Sequence, residues 1–237
     1  MRLNKFISST GLCSRRKADE LIAQGKVIVN KEIATLGLTV EEHDVVEVEG
    51  KILARKTDAD VYIALNKPPG ITCTTEEHID GNIVDFINHE QRIFPIGRLD
   101  KESEGLILLT SDGDIVNEIL REENNHEKDY IVMVNKEITA SFIEGMSNGV
   151  EIYNPVKNEY TITNKCKVIK LSDRSFKITL SQGLNRQIRR MCSQFDYQIY
   201  KLQRVRVAHI TLRGLELGQW RNLTDDEVRK FKSNGHN

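Results

Sequence analysis

Cysteine is scarce and scattered: Cys13, Cys73, Cys166 and Cys192 are the only four in 237 residues, and no two form a Cys-x-x-Cys pair. That spacing argues against both a zinc ribbon and a disulfide framework, and it fits a reducing, cytoplasmic setting. Long apolar runs are missing too. None approaches the roughly 20 residues needed to cross a bilayer, and Asn4, Lys5 and Ser8 stand where a signal peptide would carry its apolar core. A cytoplasmic chain without membrane attachment is therefore expected. Internal repeats and low-complexity tracts are also lacking. What is present is 39% hydrophobic and 29% charged residues, the composition of a globular protein.

The net charge of −1 conceals a segregation. Residues 1–31 hold Arg2, Lys5, Arg15, Arg16, Lys17, Lys26 and Lys31 against Asp19 and Glu20, a balance of +5. Residues 183–213 hold Arg186, Arg189, Arg190, Lys201, Arg204, Arg206 and Arg213 against Asp196, a balance of +6. Acid is concentrated elsewhere, as between Glu32 and Glu49. Separated basic stretches in a near-neutral chain point to anion-facing surfaces, and nucleic acid is the foremost candidate anion.

Residues 54–60 are polar and without periodicity, and they read as a linker between residues 1–57 and 61–232. Before it, Leu3, Phe6 and Ile7 have helical spacing. Ser14 is a good N-cap for a second helix carrying Ala18, Leu21 and Ile22, with Gly25 as its stop. Short strands are expected at 27–30 and 45–48. About 55 residues make a marginal core, so this is an accessory module. After the linker, strands are predicted at 62–65, 106–110, 130–134, 166–169, 176–180 and 202–212. Helices are predicted around Ile115–Leu120, around Phe142–Met146 behind Thr139, and after the capping box Thr224-Asp225-Asp226-Glu227. Without regular β-α-β alternation, the pattern indicates α+β with a largely antiparallel mixed sheet and flanking helices.

Three short stretches carry chemistry. Gly97-Arg98-Leu99-Asp100 ends a tight turn on a carboxylate, just ahead of the apolar strand Leu106–Leu109. Glu127-Lys128-Asp129-Tyr130 brings a tyrosine into a strand. In Gln182-Gly183-Leu184-Asn185-Arg186-Gln187-Ile188-Arg189-Arg190-Met191-Cys192, Asn185 is a plausible N-cap, and Ile188, Met191, Cys192 and Phe195 form one buried stripe. Arg186 and Arg190 point away from that stripe and suit phosphates. Arg189 lies on its flank, where it can lean toward a partly buried carboxylate and keep it ionised.

These stretches, with Lys67-Pro68-Pro69-Gly70 and the Ser14-Arg15-Arg16-Lys17-Ala18 to Asn30 segment, resemble the RsuA/RluB/RluE/RluF family of rRNA pseudouridine synthases, and most closely its RluF branch. The resemblance implies an S4-type RNA-binding domain at 1–57 and a catalytic domain at 61–232. It also implies isomerisation of a uridine to pseudouridine in 23S-type rRNA after base flipping. Asp100 would be the nucleophile, attacking either the ribose C1′ or the base. Arg189 would pair with Asp100, and Tyr130 would stack on the uracil. The expected RNA contacts are Arg2, Lys5, Arg15, Arg16, Lys17, Lys26, Lys67, Arg98, Arg186 and Arg190. No metal or organic cofactor is called for, since nothing is hydrolysed and no electrons leave, and a monomer is expected. The same chemistry on tRNA or small-subunit rRNA is the alternative. A non-enzymatic S4-containing assembly factor would explain the charge segregation equally well, but not the ordered set Asp100, Tyr130 and Arg189.

Overall fold

A computed structural model describes residues 1–55, 57–76, 78–120, 126–155 and 158–233. Contacts divide the chain into two units. One is Met1–Val61 with Glu90–Arg92 and Ser111–Gly113; the other is Tyr62–His89, Ile93–Thr110 and the chain from Asp114 onward.

In the first unit, α1 (Leu3–Ser9) and α2 (Arg15–Ala23) precede β1 (Val27–Val29), β2 (Glu32–Ile33), β3 (Val46–Val48) and β4 (Lys51–Ile52). The strands form an antiparallel sheet in the order β2-β1-β3-β4. Ser14 caps α2 as its sequence indicates, accepting from the Lys17 N–H at 3.1 Å. Leu3, Phe6, Ile7, Ala18, Leu21 and Ile22 meet Val27, Val29, Val46 and Val48 in one core cluster. Residues 54–60 form neither helix nor strand where described; Lys56 lies outside the described residues.

The second unit is built on a nine-stranded mixed sheet. Its strands are β5 (Tyr62–Lys67), β6 (Phe94–Ile96), β7 (Glu104–Thr110), β8 (Lys128–Val134), β11 (Lys167–Ser172), β12 (Ser175–Leu180), β13 (Ile199–Val207), β14 (Ile210–Thr211) and β15 (Trp220–Asn222). The main order is β11-β12-β8-β13-β7-β5-β15, with β14 beside β13 and β6 beside β7. β13 and β7 pair in parallel, and the other pairings are antiparallel. A separate hairpin joins β9 (Glu151–Asn154) and β10 (Glu159–Ile162). The helices are α3 (Ile83–Ile87), α4 (Ile115–Leu120), α5 (Ala140–Ser147), α6 (Gln187–Ser193) and α7 (Asp225–Ser233).

Alternation along β8 and β12 turns Val132, Val134, Phe176, Ile178 and Leu180 to one face, where Phe142 and Met146 of α5 and Ile188, Met191 and Cys192 of α6 cover them. Phe142 lies 5.4 Å from Phe176, 5.7 Å from Phe195 and 4.1 Å from Tyr197, ring centre to ring centre. Each such pair contributes about 0.5–1.5 kcal/mol beyond its area. Where one strand was expected over 202–212, Ala208 adopts φ +51 and folds the segment into the β13–β14 hairpin. No helix among the described residues is long and apolar enough to cross a membrane.

Candidate active site

Three adjacent strands set the site. Gly105 of β7 and Tyr130 of β8 both register with Arg204 of β13, on its two sides. The turn leading into β7 and the tyrosine are therefore two strand spacings apart, about 10 Å. Leu99 anchors that turn by burial, and its N–H points at Cys73 Sγ, 3.4 Å away. Arg204 is buried; it donates from Nε to the Leu106 carbonyl at 2.6 Å and from Nη1 to the Arg98 carbonyl at 3.4 Å. The backbones run so close that a Cβ on Gly105 would lie 2.2 Å from the Arg204 carbonyl oxygen, and Gly105 also holds φ +108. Only glycine fits there.

Asp100 is half-buried at the end of the turn. Its Oδ2 lies 3.4 Å from Arg189 Nε and 3.6 Å from Arg186 Nη1, charge pairs rather than hydrogen bonds. Arg189 donates from Nη2 to Ser103 Oγ at 2.9 Å. Its Nε–H is buried and makes no hydrogen bond among the described residues. Arg186 donates to both oxygens of Glu102, at 2.9 and 3.2 Å. Glu102's own backbone N–H and then Arg186 hold its carboxyl below the ordinary range.

Helix α6 positions both arginines. Ile188, Met191 and Cys192 are buried, and burial of side chains this size contributes about 1.5–3 kcal/mol each. Burial pushes the Cys192 thiol up to about 12, so it is an inert core residue. Asn185 does not cap the helix, contrary to its sequence position: Arg186 occupies the cap at φ +49, ψ +33, and its side chain makes no capping bond. The buried Gln187 braces the preceding loop instead, accepting from the Leu184 N–H and donating to Gln182 Oε1, both at 3.1 Å. Asp100, Tyr130 and Arg189 line one cleft of about 90 Å³, walled on the apolar side by Leu180 and Leu202. That is room for several waters.

One expected RNA contact needs revision. Lys67 is fully buried, and its ammonium donates to the carbonyls of Pro68 (2.9 Å), Ile71 (3.0 Å) and Lys101 (3.4 Å). It cannot reach a phosphate. It ties the Pro68–Gly70 turn to the residue after Asp100, while burial lowers its basicity. Arg190 gives three of its N–H donors to the protein, two to Asn185 and one to the Tyr153 carbonyl, leaving two of five free. Arg98 is exposed and lines the cleft. In the N-terminal unit Arg2, Arg15, Arg16, Lys17 and Lys26 are exposed and Lys5 is half-buried. Lys17 pairs with Glu20 at 3.1 Å and Lys26 with Glu49 at 2.8 Å.

Sequence reading missed the supporting residues Ser103, Gly105, Gln187 and Arg204. An isolated glycine at a strand start is a signal of close backbone approach, and it is the one that could have found Gly105. Nothing in the pattern distinguished Arg204 from a surface cation.

The α+β unit thus carries a carboxylate, an arginine and an aromatic ring in one cleft on its mixed sheet. Residues 61–194 match the RNA pseudouridylate synthase family, and residues 1–46 match the S4 domain. Dual-specificity RNA pseudouridine synthase RluF of Escherichia coli (strain K12) is 55% identical over 229 residues, 96% of this chain and 77% of that protein. Ribosomal large subunit pseudouridine synthase B of Bacillus subtilis (strain 168) is 35% identical, covering 98% of this chain and 96% of that one. A solved structure described as a pseudouridylate synthase aligns with a TM-score of 0.70 and 27% identity, over 98% of this chain and 99% of that one. The chain belongs to the RNA pseudouridylate synthase family and is a pseudouridine synthase with an N-terminal S4 domain.

Proposed function

We propose that this enzyme isomerises a uridine of large-subunit (23S-type) ribosomal RNA, with Asp100 as its nucleophile. The observation that carries the reading is the Asp100 carboxylate at 3.4 Å from a buried Arg189 Nε, in the cleft that also presents Tyr130. The 35% identical relative described as a large-subunit synthase, matched along nearly its whole length, supports the choice of RNA.

The target uridine leaves its stack to enter the cleft. Asp100 attacks the ribose C1′ or the base, and the C1′–N1 bond breaks. The uracil turns and rejoins C1′ through C5 as the bond to Asp100 breaks and its carboxylate is released; the C5 proton passes to solvent and N1 gains one, so atoms balance and no electrons are lost. Arg189 aims the Asp100 carboxylate. Tyr130 stacks on the detached base and assists removal of the C5 proton. Leu180 and Leu202 exclude water from the ring's faces.

Release of tritium from C5-labelled uridine in 23S, 16S and tRNA transcripts tests the reading, with release from 23S expected. Release confined to 16S or tRNA would overturn the target while keeping the chemistry. A second reading, that more than one RNA is modified, is favoured by the 55% identical relative described as dual-specificity. Mapping pseudouridines in rRNA and tRNA from a deletion strain decides it: loss from both classes supports dual action, and loss from rRNA alone refutes it.

A further inference from the structure

Beside the cleft, the β9–β10 hairpin presents an aromatic surface that the chemistry above does not use. Tyr153 and Tyr160 face each other across the two strands, ring centres 5.5 Å apart at 63°. Tyr160 is 70% exposed, and Ile162 on the same side is 68% exposed. On the other side Ile152 and Asn154 are buried, which fixes which face looks outward. Tyr153 is held from two directions: its hydroxyl donates to Asn158 Oδ1, and its carbonyl accepts from Arg190 Nη1 at 2.7 Å. The held Tyr153 ring thus packs against Tyr160, most of which stays open to solvent.

The surface continues from the cleft. Arg186, the cap residue of α6 beside Asp100, and Arg190, within α6 and bonded to the hairpin, are four residues apart, about one helical turn. At about 3.4 Å per stacked nucleotide, this hairpin lies within a few nucleotides' reach of a uridine held in the cleft. Cations beside the cleft suit its backbone, and an exposed ring suits a base, because every base has a π-face. Glu151 is the one acid on the outward side, opposite Ile162 and about 7 Å from the tyrosine pair, at the far end of the patch.

We propose that the hairpin is a second base-binding site: Tyr160 stacks on an unpaired base flanking the target uridine, with Tyr153 and Arg190 holding the platform to α6. The proposal rests on the reading that the cleft modifies RNA, and it adds a residue that sets which strand geometry the enzyme accepts.

The test uses the full chain and a full-length 23S rRNA transcript carrying tritium at uridine C5, with wild type, Tyr160→Ala and Tyr160→Phe compared. Tyr160→Ala is expected to raise Kd roughly 5- to 150-fold, the equivalent of one lost base–aromatic stack. The single-turnover rate at saturating RNA and the salt dependence of binding stay as in wild type, since the ring bears no charge. Tyr160→Phe keeps the ring and binds within about twofold of wild type. Unchanged binding by Tyr160→Ala, a Tyr160→Phe variant as weak as Tyr160→Ala, or an altered salt slope would each overturn the platform. Binding without tritium release by wild type would instead refute the proposed target, and the three Kd values would still judge the hairpin.

Discussion

At the scale of single residues, the cleft separates groups that act from groups that aim them. Asp100→Asn is nearly isosteric but exchanges the carboxylate proposed as nucleophile for an amide, so under that proposal the loss falls on the chemical step. Enzymes lower barriers by roughly 8–23 kcal/mol. Losing the bond-forming group should abolish tritium release, while a filter-binding assay shows RNA affinity near wild type. Robust turnover by this variant would remove Asp100 from the mechanism. The two arginines of α6 divide differently. Arg189 is side-chain buried to 18% exposure with Asp100 and Ser103 as its partners, and removing one member of a buried charge pair costs about 3–5 kcal/mol. Arg189→Ala should therefore lower the saturated rate, whereas Arg190→Ala, which frees the hairpin, should mainly raise Kd. Equal defects in both, rescued by added RNA, would make Arg189 a phosphate ligand only. Gly105→Ala faces a backbone oxygen at 2.2 Å. It should lose soluble expression or melt well below wild type in a thermal scan, because neither strand can yield.

At the scale of elements, β8 shows how a polar cluster holds in place the strand that carries Tyr130. Asp129, next to Tyr130 but on the opposite face, is 6% exposed at its side chain. It meets Lys177 at 2.7 Å, Arg206 at 2.8 Å and the Thr179 hydroxyl at 2.8 Å. Burial works against its charge, yet the hydrogen bonds from Arg206, Lys177 and Thr179 prevail and hold the carboxyl far below the ordinary range. Since the folded pKa lies below the unfolded one, this stabilisation is complete above about pH 4 and fades as pH falls further. Asp129→Asn should cost about 3–5 kcal/mol, lowering the melting midpoint by roughly 6–20 °C at neutral pH. The gap between variant and wild type should narrow in melts taken progressively below about pH 4, where the carboxyl of the unfolded chain takes up a proton that the folded one still refuses. A constant gap would assign the loss to packing. Sequence showed the long, strongly patterned elements: α2 with its Ser14 cap, α5 behind Thr139, α7 behind its capping box, and the alternating β12. It also brought Asp100, Tyr130 and Arg189 forward as a set. It did not show α3, β6, β9, β10 or β15, which are three to five residues long and too short for periodicity to register. Nor did it show that Lys67 points inward. A lysine reads as a surface charge until three carbonyls are seen around it.

At the scale of the whole molecule, each hydrophobic cluster draws its residues from one side of residue 61. Leu3 through Val48, with Leu53, make one; Val132 through Leu202 and Ala64 through Phe231 make the others. Removing residues 1–57 should therefore leave a folded catalytic unit that has lost affinity more than chemistry. The exposed cations Arg2, Arg15, Arg16, Lys17 and Lys26 are the groups removed; Lys17 pairs with Glu20 and Lys26 with Glu49. If the module neutralises about three to five phosphates, the slope of log K against log salt should flatten by roughly 2–4 units. At saturating RNA the truncated protein should still release tritium, with less fidelity of site, because backbone contacts fix register without reading sequence. Salt slope and saturated single-turnover rate, measured side by side for both proteins, decide the matter. An unchanged slope would mean that residues 1–57 do not anchor the RNA. A truncated protein that is folded yet inert at saturation would mean that they help to assemble the active site.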